Sequence, residues 1–486
     1  MEKEILFSLR QATPRIYGMD PIPPIEWSVH RGEQWCIIGP NGSGKTLLSD
    51  FIAGKHAIRS GTIQYGIRGD RYPTDRIRKV CFESTYSLAD YRNMYYQQRF
   101  HATENEETPT IRELLLREGE DTKYTEQLCD RLKIQPLMEK RLIMLSSGEL
   151  RKVLIALFLA KKPELIIFDN PFSGLDVQNR KELDEFLMLL AQQQPMIFIV
   201  PTPNEIPQAT THILKAEHFQ YSVWGALTKE SLQKLKEAFP ATAPALSKGL
   251  PAPLLTTDAS YEYVLKMKDI HLGYADRKIF DGLNWTIRKG EKWALSGPNG
   301  SGKSTLLSLL AADNPHAYSL DITLFDRKRG TGESIWDIKR HIGYISSEMH
   351  LYFQGEQTCS KIVASGLFDT IGLFRQCTEK EYEIAHEWME IFGIGHLKER
   401  YYAKLSGGEQ RLTLLARTMV KNPDLLILDE PLHGLDEQNK RHALNIIERF
   451  CEQPGKTLIY VTHLKEETPP CINHIMELKA NHHVKA

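Results

Sequence analysis

The sequence lacks a long apolar run, a signal-peptide start and any paired cysteine motif. No apolar stretch of its 486 residues approaches the roughly 18 to 20 residues that cross a bilayer. The start MEKEILFSLRQ contains acidic residues and no long apolar stretch, so it does not resemble a signal peptide. The seven cysteines include no C-x-x-C pair, which disfavours metal, iron–sulfur and disulfide frameworks. These absences predict a cytoplasmic protein with reduced thiols.

The sequence also lacks an excess of charge of either sign. Its net charge of −1 leaves no clear nucleic-acid footprint, because neutralising phosphates requires a clustered basic surface. His482 and His483 lie near a polar terminus, where we expect solvated side chains and not metal ligands. The length is ample for two domains of about 200 residues each.

Three sequence motifs occur twice. GPNGSGKT at 39–46 returns as GPNGSGKS at 297–304, and LSSGE at 145–149 returns as LSGGE at 405–409. LIIFDNPFSGLD, ending at Asp176, returns as LLILDEPLHGLD, ending at Asp436. The lysines of the first pair are 258 residues apart and the final aspartates of the third pair 260. A period this long indicates a duplicated domain and not a solenoid.

A Pro- and Ala-rich stretch separates the copies. Residues 239–260 read FPATAPALSKGLPAPLLTTDAS, which is typical of an extended linker. We therefore predict domains at 1–238 and 261–486. Within each, short apolar runs (QWCIIG and LIIFD; KWALSG and LLILD) indicate buried parallel strands, and the stretches behind the glycine-rich loops are helical. The expected fold class is α/β, with helices on both faces of a sheet.

The G-x-x-x-x-G-K-[ST] motif is a P-loop. Its glycines let backbone N–H groups surround phosphate, and its lysine reaches the β- and γ-phosphates of a nucleotide. The predicted nucleotide-binding residues of the two copies are Gly39, Asn41, Gly42, Ser43, Gly44, Lys45 and Thr46, and Gly297, Asn299, Gly300, Ser301, Gly302, Lys303, Ser304 and Thr305. The hydroxyls of Thr46 and Ser304, with Asp169 and Asp429 at the ends of apolar strands, are predicted to hold Mg²⁺. The expected cofactors are ATP and Mg²⁺.

The LSGGE element gives the chain its resemblance to ABC ATPases. The resemblance covers both halves and implies two domains, each with a RecA-like core sheet, a small antiparallel β region and a helical subdomain. It also implies that each LSGGE element closes over the nucleotide of the opposite domain, so that the two halves pair within the chain. Ser406, Gly407 and Gly408 match this element fully; Ser146 and Gly148 match, but Ser147 replaces the first glycine.

The resemblance also assigns aromatic residues that stack on adenine. Tyr274 matches the position of this aromatic in the second half. Tyr17 is the expected counterpart in the first half, where the alternative is a packed surface aromatic.

The two halves differ at the residues that ABC ATPases use for hydrolysis. Glu430 follows the magnesium aspartate in LDEP, where the family has the glutamate that polarises water, and His463 matches the γ-phosphate histidine. The first half has Asn170 in place of the glutamate, and MIFIVPTPNEIP contains no histidine. Asn cannot take a proton, and losing a general base costs about 10²–10⁴ in rate. Hydrolysis is therefore expected at the second P-loop.

Neither half has the glutamine that the family uses at its metal and its membrane partner. The matching positions hold Ser84 and Ser347, which puts coupling to a permease in doubt. The stretch at 332–351, GESIWDIKRHIGYISSEMHL, resembles the ModF/PhrA-like tandem family, labelled molybdenum-transport ATP-binding or photorepair proteins.

Three functions stay open from the sequence. The first is the ATP-binding subunit of a molybdate-type importer, which would place the protein at the inner face of the cell membrane. The second is a soluble ABC ATPase that acts on a macromolecule. The third is a nucleotide-gated switch. The chain has neither the charged helical linker of translation-factor ABC proteins nor the zinc cysteines of excision-repair ABC proteins.

Overall fold

The computed structural model divides the chain into two compact units. Described residues through Phe239 form the first unit, and those from Gly249 onward form the second. The structure describes residues 4–16, 22–66, 72–81, 109–119, 122–132, 134–141, 145, 147–173, 175, 177–239, 249–254, 260–274, 277–298, 301–346, 349, 353 and 356–479.

The first unit alternates strands and helices. Its strands are β1 (Ile5–Pro14), β2 (Ile25–His30), β3 (Trp35–Ile38), β4 (Ile58–Tyr65), β5 (Ile77–Cys81), β6 (Leu165–Asp169), β7 (Met196–Val200), β8 (His212–Glu217) and β9 (Gln220–Ala226). Its helices are α1 (Lys45–Ile52), α2 (Pro73–Arg76), α3 (Ile111–Glu118), α4 (Thr122–Arg131), α5 (Ser147–Leu159), α6 (Val177–Leu190) and α7 (Lys229–Ala238). In the described part, β2-β1-β4 form an antiparallel sheet, and β5-β6-β7-β3-β8-β9 form a sheet that is parallel except for the last pair.

The second unit repeats this plan. Its strands are β10 (Tyr263–Tyr274), β11 (Arg277–Arg288), β12 (Lys292–Ser296), β13 (Ile322–Leu324), β14 (Arg327–Lys328), β15 (Ile342–Ile345), β16 (Leu425–Asp429), β17 (Thr457–Val461) and β18 (His474–Glu477). Its helices are α8 (Lys303–Leu310), α9 (Ile335–Lys339), α10 (Cys359–Ser365), α11 (Glu379–Ile391), α12 (Gly407–Met419) and α13 (Glu437–Cys451). The order β11-β10-β13-β14 is antiparallel, and β15-β16-β17-β12-β18 is wholly parallel.

The apolar runs form buried strands because each parallel sheet is covered on both faces. Alternate residues of β3 point to opposite faces: Ile37 packs with α1 and the antiparallel sheet, whereas Cys36 and Ile38 pack with the helical side. In β16, Ile427 and Leu428 divide between the two sides in the same way. The predicted α/β class, with its antiparallel and helical regions, is confirmed.

A small side-chain arrangement is also duplicated. Trp35 stacks on His212 with ring centroids 4.9 Å apart and donates from Nε1 to Glu33. Trp293 stacks on His474 at 4.7 Å and donates to Glu291. The halves therefore share packing detail beyond their motifs.

No helix among the described residues is long and apolar enough to span a membrane. Residues 239, 249–254 and 260, the described part of the predicted linker, belong to no helix or strand. The predicted domain limits stay a prediction.

Candidate nucleotide sites

The first P-loop connects β3 to α1. Gly44 precedes the helix with a left-handed φ of 94°, which glycine adopts without a steric cost. Lys45 Nζ donates to the carbonyls of Gly39 and Pro40, at 2.6 and 2.7 Å. The Ser43 hydroxyl is buried and makes no hydrogen bond to any described residue. The loop therefore has a cation and an unsatisfied polar atom where phosphate would be held.

The second P-loop repeats this geometry between β12 and α8. Gly302 has a φ of 93°, and Lys303 Nζ donates to Gly297 O at 2.6 Å and to Pro298 O at 3.0 Å. The Ser301 hydroxyl is also buried without a hydrogen-bond partner in the described part of the chain. Asn299 and Gly300 lie outside the described residues.

The remaining P-loop residues lie at the helix starts. Thr46 and Ser304 are in the first turns of α1 and α8 and are exposed; Thr305 follows Ser304 and is half-buried. Asn41 and Gly42 lie in the first loop, before the helix.

The predicted magnesium aspartates end equivalent strands. Asp169 is the last residue of β6, and Asp429 is the last residue of β16. In parallel sheets the carboxyl ends of the strands lie at one edge, where ligands bind, so each aspartate shares an edge with its P-loop. The two environments differ, because Lys79 Nζ lies 3.1 Å from Asp169 Oδ2.

The residue after each aspartate has an unusual backbone. Asn170 has a φ of 50° and Glu430 a φ of 47°, in the left-handed region that non-glycine residues rarely adopt. Their amides donate to Ile199 O and Val461 O on the neighbouring strands. Strain of this kind is concentrated at functional sites, and both halves retain it.

In the second half, Glu430 is paired with the predicted histidine. Glu430 Oε1 lies 3.2 Å from His463 Nε2. Burial opposes ionisation of Glu430, but the hydrogen bond from His463 and the charges of His433, His463 and Arg411 hold its pKa at about 2. Glu430 is therefore a carboxylate at neutral pH.

The sequence motifs did not identify Arg411, whose side chain binds the backbone of Asp429 and Glu430 in the second unit. Its buried guanidinium donates to the carbonyls of Ser346, Asp429, Glu430 and Pro431. In the first unit Arg151 donates to Pro171 O. The only sequence signal was the common spacing of the two arginines behind the LSGGE and LSSGE elements.

The first half has no equivalent of the glutamate–histidine pair. Trp35 pairs with Ile197 just as Trp293 pairs with Ile459, so this register places Pro201 where the second half has His463. Asn170 Oδ1 is buried without a hydrogen-bond partner among the described residues. The carboxylate and the imidazole are both replaced.

The LSGGE element caps a helix in the second unit. Ser406 is the N-cap of α12: its hydroxyl accepts from Glu409 N and donates to Glu409 Oε2, which also accepts from Ser406 N. Gly407 and Gly408 open the helix. In the first unit, α5 begins at Ser147 and continues through Gly148, while Ser146 lies outside the described residues.

Several predicted residues lie outside what the structure describes. Tyr17, Ser84 and Ser347 are in this group. Tyr274 ends β10, paired with Arg277, and its side chain is not described. Their roles stay predictions. Among the described residues, no group of three or more His, Cys, Asp or Glu side chains is arranged to hold a metal ion.

Comparison with known families identifies both halves. The family model described as ABC transporter matches residues 22–173 and 280–433. The chain is 34% identical to the ABC transporter ATP-binding protein ModF of Escherichia coli (strain K12), over 96% of this chain and 95% of that protein. The chain belongs to the ABC transporter ATPase family. It is a tandem ABC ATPase that binds ATP, and the resemblance stated from its motifs is confirmed.

Other proteins match this ABC ATPase over more than nine-tenths of its length. An uncharacterized ABC transporter ATP-binding protein of Schizosaccharomyces pombe is 29% identical over 92% of this chain and 93% of that protein. Among solved structures, RNase-L Inhibitor covers 96% of this chain and 87% of its own, with a TM-score of 0.52 and 20% identity. A chain from a structure of ribosome-bound archaeal Pelota and ABCE1 has a TM-score of 0.57, also at 20% identity, over 93% of this chain and 73% of its own. At that identity, the structural matches support the fold alone.

Proposed function

We propose that this ABC ATPase binds ATP at both P-loops and hydrolyses it mainly at the second. The observation that carries the proposal is the contact of Glu430 Oε1 with His463 Nε2, at 3.2 Å, where the first half has Asn170 and Pro201. Both P-loops keep their lysine and their buried serine hydroxyl. Binding therefore requires nothing that the first half has lost, whereas hydrolysis requires a base.

At the second site the available ligands fit Mg²⁺. Ser304 offers a hydroxyl and Asp429 a carboxylate, the hard oxygen donors that this ion prefers. Bound Mg²⁺ would neutralise charge on the transferred phosphate. Lys303 and the N-terminal end of α8 would add positive charge to the same phosphates.

Glu430 would act when His463 releases it. While His463 donates to it, the pKa of Glu430 is about 2, which makes it a weak base. A histidine that turns to the γ-phosphate removes that hydrogen bond, so the pKa of Glu430 rises and the carboxylate becomes a stronger base. Binding of ATP would thus activate the base.

We further propose that the halves, at 1–238 and 261–486 with the linker at 239–260, pair head to tail within the chain. Ser406, Gly407 and Gly408 would close the first nucleotide site. Ser146, Ser147 and Gly148 would close the second. In this arrangement the complete LSGGE element would contact the nucleotide of the first site, which lacks a general base. Ser147 would contact the nucleotide of the second site, where hydrolysis is proposed.

The proposal is tested by steady-state ATPase rates of matched variants. We expect Glu430→Gln to lower the rate by about 10²–10⁴, the usual contribution of a general base, while ATP binding persists. Asn170→Ala, the same position in the first half, should change the rate only a few-fold. Equal losses in both variants would contradict the asymmetric assignment.

The partner is a separate proposal, for which the second unit has a suitable surface. A cavity of about 570 Å³ adjoins Ser346, with exposed Trp336 and Ile371 among its lining residues and the ion pairs Lys339–Asp313 and Lys421–Asp369 at its walls. Protein-binding surfaces are enriched in aromatic residues at their centre and are polar at their rim. The occupant would be a permease if the protein serves a molybdate-type importer, or a soluble macromolecule otherwise.

ATPase rates measured with membranes that contain candidate permeases distinguish a permease from a soluble partner. Stimulation of the ATPase rate by about tenfold or more, a coupling of about 1.4 kcal/mol, and its loss on changing Trp336 to Ala would support the importer. An unchanged rate would favour the soluble role.

A further inference from the structure

A lysine buried beside Asp169 makes the first nucleotide site chemically different from the second. Lys79 lies on β5, and its side chain is only 6% exposed. Its ammonium is 3.1 Å from Asp169 Oδ2, 3.7 Å from Asp50 Oδ1, and donates to Ser49 Oγ at 2.9 Å. Ser49 Oγ in turn donates to Thr46 O at 2.7 Å, in the first turn of α1. The lysine therefore bridges the helix behind the P-loop to the aspartate expected to hold Mg²⁺.

The residues at the matching positions of the second half differ from those of the bridge. Lys79 pairs with Ile167 on β6, and Tyr344 pairs with the equivalent Ile427 on β16, so Tyr344 occupies the position of the lysine. Tyr344 packs against the apolar cluster beneath the second P-loop. Counted from the P-loop lysine, Ser49 and Asp50 are replaced by Leu307 and Ser308, which are buried in α8. The matching positions therefore hold neither the lysine nor the aspartate, and the position of Ser49 is a leucine.

The bridge disfavours a divalent cation on Asp169. A metal that bound this carboxylate would share it with an ammonium that water screens little, and like charges in a poorly solvated site repel strongly. A buried ammonium is also costly without its carboxylate partner, so displacing Lys79 would destabilise the unit. The residues at the first site do not fit tightly bound Mg²⁺ as those at the second do.

We propose that Lys79 is the built-in cation of the first nucleotide site, so that the first P-loop holds ATP without tightly bound Mg²⁺ while the second requires the ion. The inference rests on the proposed function, that both P-loops bind ATP. The site without a base would then lack its catalytic metal as well. Nucleotide would stay there through cycles of hydrolysis at the second site.

Mn²⁺ as a paramagnetic probe tests this directly. The full-length chain is saturated with a non-hydrolysable ATP analogue, and bound nucleotide and bound Mn²⁺ are counted by equilibrium dialysis and electron paramagnetic resonance. We expect two nucleotides but one tight Mn²⁺ per chain, with the second Mn²⁺ weaker by about tenfold or more, the scale on which groups around a metal change its affinity. Lys79→Met should bind two tight Mn²⁺, and Lys79→Arg should behave as the unsubstituted chain.

The controls separate the possible failures. Lys55 pairs with Asp50 at 3.0 Å but is more than half exposed, so Lys55→Met should leave the count at one. Tyr344→Lys, which places the lysine in the second half, should lower the count toward zero and tests the idea even if Lys79→Met does not fold. Two equally tight Mn²⁺ in the unsubstituted chain, or one in both that chain and Lys79→Met, would overturn the role of Lys79. Fewer than two nucleotides would overturn the proposed function itself.

Discussion

Asn170 and Glu430 follow equivalent strands, share a left-handed backbone, and differ in chemistry. Their φ values are 50° and 47°. Left-handed backbone costs most residues about 1–2 kcal/mol, and Asn tolerates it better than most. The second half thus retains backbone strain at Glu430, the residue proposed as the general base. The first half has a residue suited to the same backbone without that function.

The left-handed backbone of Asn170 determines how variants at this position should differ in stability. Asn170→Ala should be less stable than Asn170→Gly by about 1 kcal/mol, because only glycine adopts this φ freely. Neither should change the ATPase rate more than a few-fold. Chemical unfolding monitored in the first unit measures the difference. A glycine variant that is no more stable than the alanine variant would contradict the left-handed backbone at this position.

Residue types could be read from the sequence, but their environments could not. The motifs predicted Glu430 and His463 separately, and their 3.2 Å contact needed the register of β16 against β17. Pro201 became the counterpart of His463 only through strand pairing. Lys79 carries no motif, because what distinguishes it is its burial between α1 and Asp169. Long-range pairing sets such contacts, and local patterns do not contain it.

Secondary structure was easier to predict from the sequence than side-chain contacts, since local signals determine much of it. The apolar runs QWCIIG and LLILD became β3 and β16 because a sheet covered on both faces needs continuous apolar residues. The antiparallel sheets were expected only from the family resemblance. Their strands, such as β10 and β11, contain register shifts that interrupt a simple alternation.

Helix α12 illustrates how one element combines stability with binding. Ser406 caps it through a reciprocal pair with Glu409, and Thr378 caps α11 through the same arrangement with Glu381. We expect Ser406→Ala and Thr378→Ala each to lose about 1 kcal/mol of stability, the usual cost of removing an N-cap side chain. The two helices therefore provide matched variants.

Only the Ser406 variant should also change nucleotide retention. In a Glu430→Gln background, ATP retained per chain should fall from two toward one with Ser406→Ala and stay at two with Thr378→Ala. Rapid filtration with labelled ATP measures this. Equal retention in both variants would show that Ser406 acts as a helix cap alone.

At the scale of the whole molecule, the protein is one domain duplicated and then specialised. The halves share sheet order around the P-loop, a stacked Trp–His pair, and a strained residue after the aspartate. Three of the differences lie near Asp169, where Lys79, Asn170 and Pro201 replace Tyr344, Glu430 and His463. These replacements are the ground for the proposal that the first site holds nucleotide without hydrolysing it.

A single-turnover experiment tests whether only the second nucleotide site hydrolyses ATP. The chain is loaded with labelled ATP at both sites, excess nucleotide is removed, Mg²⁺ is added, and ADP is counted against time. We expect one ADP to form per chain in a rapid phase and one ATP to persist at least about 10² times longer, the smaller of the rate losses expected without a base. Two ADP formed per chain with a single rate constant would contradict it.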